Sequence, residues 1–101
     1  MPPEFNGGLE KWKEFLEKNL KWKIPLKNKA PAGKYTVILK FSVDEEGNLS
    51  NIIAENDPGF GTKEEAIRVL SKSPKWKPAT QNGKAIKYNH KQSITFLVSD
   101  Q

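Results

Sequence analysis

Tyr35-Thr36-Val37-Ile38-Leu39-Lys40-Phe41-Ser42-Val43 is the stretch that decides the fold. Tyr35, Val37, Leu39, Phe41 and Val43 place a large apolar side chain at every second position. Thr36, Lys40 and Ser42 fill most of the places between them. A period of two means a half-buried β-strand, with one face on a core and the other toward water. Asp44-Glu45-Glu46-Gly47-Asn48 follows as a turn, in which Gly47 can take positive φ. A second strand from Leu49 to about Asn56 completes an antiparallel hairpin.

Upstream the period changes. Leu9, Trp12, Phe15, Leu16 and Leu20 recur at spacings of three and four, which predicts an amphipathic helix over residues 9–22. Its other face offers Lys13 with Glu17, Glu14 with Lys18 and Glu17 with Lys21 as i,i+4 pairs of opposite charge. Residues 23–33 read as a loop containing Pro25 and Pro31. Residues 1–8, with Pro2-Pro3 and Gly7-Gly8, read as an extended lead-in, a linker remnant ahead of a domain over 9–101.

Downstream, Asp57-Pro58-Gly59-Phe60-Gly61 reads as a loop. Thr62 and Glu65 have capping-box spacing, and a helix over 63–72 is expected to bury Ala66, Ile67 and Leu70 before Pro74 stops it. Asn82-Gly83 signals a tight turn. One long strand from about Ala85 to Val98 closes the chain. Ile86, Tyr88, Ile94, Phe96 and Val98 are expected on one face, with Asn89, Lys91, Ser93 and Thr95 mainly on the other.

The predicted fold is therefore α+β: a three-stranded antiparallel sheet, order 2-1-3, packed against two helices. The third strand lies on an edge. Proteins usually blunt such an edge, and Lys87 and Lys91 do so in part. A long edge strand recruits another strand unless the chain covers it.

Composition narrows the function. The chain has 101 residues, enough for one modest core. It has no cysteine, so no disulfide framework and no thiol chemistry. No apolar run reaches the length of a membrane helix, and no signal peptide is recognisable. His90 is the sole histidine and has no second histidine or cysteine with which to share a metal. The carboxylates of Asp44, Glu45 and Glu46 lack the alternating spacing of a calcium loop. Gly59-Phe60-Gly61 is too short for a dinucleotide fingerprint. Neither a catalytic group, a cofactor nor a metal is expected, and the chain reads as a binding module.

The net charge of +5 invites a nucleic-acid reading. Against it, Arg68 is the single arginine, and the lysines are scattered among glutamates. No nucleic-acid partner is expected. A polyanion-binding role would show itself as affinity that falls steeply with salt and ignores peptide sequence.

Three groups of residues resemble one family. They are Ser73-Pro74-Lys75-Trp76-Lys77-Pro78-Ala79 with Gln81-Asn82-Gly83-Lys84, then Ala30-Pro31-Ala32-Gly33-Lys34-Tyr35-Thr36-Val37 with Phe41-Ser42-Val43-Asp44 and Gly47, and finally Ala54 to Thr62 with Glu64-Glu65-Ala66. Together they are similar to TonB C-terminal domains, in the form common in Bacteroidetes-type bacteria, over about residues 9–98. The resemblance implies a periplasmic domain of an inner-membrane-anchored energy transducer. Such a domain grips the TonB box peptide of outer-membrane TonB-dependent transporters by β-strand addition, with energy supplied by the ExbB–ExbD motor. Carried over, the contact falls on Ile86, Lys87, Tyr88, Asn89, His90, Lys91, Gln92, Ser93, Ile94, Thr95 and Phe96. An exposed edge also permits a strand-exchanged homodimer. Two departures stand out. Trp22-Lys23-Ile24-Pro25 replaces the Tyr-Pro pair that often follows the first helix in the family, and Ser93 stands where related sequences often have proline. The same kind of domain also serves as a docking or sensing tail of other membrane proteins, such as metallopeptidase-type regulators.

Overall fold

A computed structural model describes residues 1–99, so residues 100–101 of the expected domain lie outside the described residues. The elements run α1 (Gly8–Asn19), α2 (Ile24–Lys27), β1 (Gly33–Val43), β2 (Leu49–Ala54), α3 (Thr62–Ser71), β3 (Ala79–Gln81), β4 (Lys84–Ile86) and β5 (Tyr88–Val98). The main sheet has the expected order, β2-β1-β5, and is antiparallel throughout. A short β3–β4 hairpin forms a second sheet.

β1 is the centre of the molecule. It pairs with β5 along its whole length, from Gly33↔Val98 to Val43↔Tyr88. β2 covers only its second half, with an irregularity between Lys40 and Ser42. Beyond Ala54 the Asn56 side chain takes over the ladder. Its Oδ1 accepts from the Ile38 amide and its Nδ2 donates to the Thr36 carbonyl, both at 2.8 Å. Val37, Leu39, Phe41 and Val43 of β1 are buried with Ile94 and Phe96 of β5, and Ala66, Val69 and Leu70 of α3 close that core.

The turn after β1 is held by Asp44, whose Oδ1 accepts from the Glu46 and Asn48 amides at 2.9 and 2.8 Å. The Asn48 amide, together with the Glu46 and Gly47 amides and the Asn48 side chain, keeps the Asp44 carboxyl below its ordinary pKa. Gly47 has φ 88°, and a Cβ there would collide with the Trp76 carbonyl. The Trp76 amide donates back to the Gly47 carbonyl at 2.9 Å, which ties this turn to the segment after α3.

Several expectations need correction. The first helix ends at Asn19 and not at residue 22, because Leu20 is extended (φ −79°, ψ 126°). The Lys21 amide then leaves the helix axis to donate to Glu65 at 2.7 Å. Leu9 is 66% exposed, since Phe5 from the lead-in occupies the aromatic face. Phe5 lies 5.4 Å from both Trp12 and Phe15 and 5.9 Å from Trp76. None of the three expected i,i+4 pairs of α1 is within ion-pair distance; Lys11 and Glu14 pair instead, at 3.2 Å on the exposed surface. The loop over 23–33 contains the single turn α2, with Pro25 in its first turn, where a missing amide costs nothing.

The capping box does not form. Gly61 is the N-cap of α3, and the Thr62 hydroxyl donates backward to the Gly59 carbonyl at 2.7 Å. Glu65 is occupied by Arg68 and by the Lys21 amide. The last strand is also divided. Asn82 (φ 52°) and Gly83 (φ 78°) make the expected tight turn, but it joins β3 to β4, and Lys87 separates β4 from β5.

Candidate functional site

The pleat of β1 determines which side of β5 is free. The Thr36 carbonyl and both backbone groups of Ile38 bond to the β2 side. Backbone groups alternate sides along a strand, so the odd-numbered residues of β1 bond to β5. Their register partners on β5 are even-numbered: Tyr88, His90, Gln92, Ile94, Phe96 and Val98. The amides and carbonyls of Asn89, Lys91, Ser93, Thr95 and Leu97 therefore point outward. Among the described residues no backbone group pairs with them. The one polar contact there is local: Gln92 Nε2 donates to the Ser93 carbonyl at 3.2 Å.

Side chains alternate by face. Ile94, Phe96 and Val98 are buried on the helix side. Toward the other end of the strand the same face carries His90 and Gln92, both half-buried, and then Tyr88, which is exposed. On the open face, Thr95 meets Thr36 with their hydroxyls 2.9 Å apart, Asn89 accepts from the Ser42 hydroxyl at 2.9 Å, and Lys91 pairs with Glu55 at 2.9 Å.

The expected contact residues thus divide. Tyr88 through Phe96 lie on β5, at the sheet margin. Ile86 lies in β4, paired with Ala79, and Lys87 lies between the strands. Nothing in residues 84–98 announces the break, since no glycine or proline falls between Lys84 and Val98. The break arises because β4 follows β3 while β5 follows β1.

Sequence reasoning missed the cleft beside this edge. Phe5, Leu9, Trp12, Trp76, His90 and Gln92 surround about 190 Å³ of space. Phe5 reaches it because the lead-in is itself held to the segment after α3: Glu4 and Lys77 exchange backbone hydrogen bonds at 3.1 and 2.8 Å. The His90 ring sits 5.7 Å from Phe41 and 5.8 Å from Trp76, and burial lowers its pKa below the ordinary 6.5. The aromatic spacing of Phe5 ahead of Trp12 was the available signal. It lay across Gly7-Gly8, a boundary that reads as a break.

Among the described residues there is no grouping of histidine, cysteine or carboxylate side chains that could hold a metal ion. Among the described residues no helix is long and apolar enough to cross a membrane. The site offers a strand edge and an aromatic-floored cleft. Residues 33–98 match the family model described as Gram-negative bacterial TonB protein C-terminal. The chain belongs to this TonB C-terminal family. The match spans β1 to β5, including the whole main sheet and the edge. The family comprises periplasmic, non-enzymatic domains of energy transducers that interact with outer-membrane transporters. No significant match was found among curated proteins. None was found among solved structures either.

Proposed function

We propose that this TonB C-terminal domain binds the TonB box of outer-membrane TonB-dependent transporters by adding it as a strand along the outer margin of β5. In this reading the peptide pairs with the outward backbone groups of Asn89, Lys91, Ser93 and Thr95. The domain works in the periplasm as part of an inner-membrane-anchored protein, and the ExbB–ExbD motor loads it with energy from the proton-motive force. The observation that carries the reading is the row of outward amides and carbonyls on β5 that have no backbone partner among the described residues.

Strand addition suits a device that pulls. Each backbone hydrogen bond contributes only about 0.5–1.5 kcal/mol net. A force along the strand axis loads several such bonds at once, whereas peeling breaks them one after another. Modest affinity is then compatible with high resistance to axial load. The same edge permits pairing with a second copy in a strand-exchanged homodimer.

An NMR titration with TonB-box peptides tests the reading. Amide shifts should concentrate on residues 88–96. Shifts confined to the lysines of the surface, or no shifts, would refute it.

A further inference from the structure

We infer that the cleft between the start of α1 and β5 takes one large apolar side chain of the added strand, so that Leu9, His90 and Gln92 select which peptides bind. The inference rests on the strand-addition reading and adds a sequence preference to it. Residues directly opposite each other in a strand pair place their side chains on the same face of the sheet. An added residue opposite His90 or Gln92 therefore points toward the helix layer, where the cleft opens. Beyond Gln92 the same face is filled by the buried Ile94 and Phe96, whereas at His90 and Gln92 the cleft leaves room for an incoming side chain.

The lining chooses the chemistry. Its floor is aromatic, made by the buried rings of Phe5, Trp12 and Trp76. Leu9 stands at the rim as an exposed leucine on an otherwise well-packed helix face. Glu4 is the one carboxylate in the lining, and no lysine or arginine shares it. An acidic side chain is repelled there, and a small one leaves the space open. Leucine or phenylalanine covers Leu9 and the aromatic floor and gains by leaving water.

The test titrates the isotope-labelled chain with a short Thr/Ser host peptide carrying a central leucine, and with the same peptide carrying alanine or aspartate there. The leucine peptide should bind about tenfold more tightly than the alanine peptide. It alone should move the Trp12 indole N–H and the His90 ring as well as the β5 amides. Leu9→Ala, a change at an exposed position, should remove most of that preference without unfolding the domain. Equal binding of the leucine and alanine peptides, with β5 amides shifted and Trp12 still, would overturn the selective cleft and leave strand addition standing. Absence of β5 amide shifts with every peptide would overturn both.

Discussion

The imidazole of His90 and the indole of Trp76 meet at 5.8 Å with their planes 63° apart, which joins the edge strand to the aromatic core. Phe41, the register partner of His90 on β1, contacts both rings, at 5.7 Å from His90 and 5.2 Å from Trp76. Trp76 is in turn fixed by its own indole, whose Nε1 donates to the Ser73 hydroxyl at 2.9 Å. The polar end of β5 is thus held by packing.

This packing makes stability sensitive to pH. Burial lowers the His90 pKa below 6.5, and no carboxylate among the described residues lies within ion-pair distance of the ring. The unfolded chain therefore takes up this proton more readily than the folded one. His90 costs nothing above its unfolded pKa, and its penalty grows as pH falls from 6.5 toward the lowered folded value. Denaturant unfolding across that window should show stability declining with acid. His90→Gln should flatten the part of the slope lying in that window.

The direction of the β5 amides predicts opposite outcomes for adjacent prolines. Ser93→Pro removes an outward donor and leaves the β1 ladder whole, so unfolding free energy should change by less than about 1 kcal/mol. Ile94→Pro removes a donor from the β1 ladder and should cost about 3 kcal/mol or more. Chemical unfolding of the two variants, side by side, tests the assignment of the free edge independently of any peptide.

Gly47→Ala should cost at least about 2 kcal/mol, because the residue is at φ 88° and the added methyl meets the Trp76 carbonyl, a backbone atom that cannot turn aside. Thermal unfolding measures the loss. Gly83→Ala, also at positive φ but with nothing near the added methyl, should cost clearly less.

Glu65 is a buried carboxylate that joins the end of α1 to α3. Burial opposes its charge, but the Arg68 hydrogen bonds at 2.6 and 2.7 Å, the Lys21 amide and the guanidinium charge outweigh burial and lower its pKa below 4.5. Its stabilising contribution is present above 4.5 and is lost as pH falls through the lowered folded value. Glu65→Ala at neutral pH should cost about 2–4 kcal/mol in chemical unfolding, as the Lys21 amide and Arg68 lose their partner.

Phe5 tests whether the lead-in belongs to the folded unit. It is buried against Trp12, Phe15 and Trp76. Phe5→Ala should cost about 3 kcal/mol by denaturant unfolding. A flexible lead-in would show no loss.

Residues 35–43 carried their strand in their own alternation, and the 2-1-3 order followed from two connections, a five-residue turn and a helical crossover. Local pattern sufficed there because a half-buried strand must repeat every second residue wherever it sits. The edge position of Tyr88 to Phe96 was legible from the helical crossover, which places the last strand beside the first. Tertiary structure decided that Phe5, whose spacing from Trp12 was only a hint, crosses Gly7-Gly8 to take the place expected of Leu9, that Glu65 leaves its capping position to hold Lys21 and Arg68, and that the final strand breaks at Lys87. Each outcome is a competition between groups distant in sequence for one partner or one patch of core. Periodicity and composition describe what a residue needs, and only the assembled neighbours determine which of several candidates satisfies it.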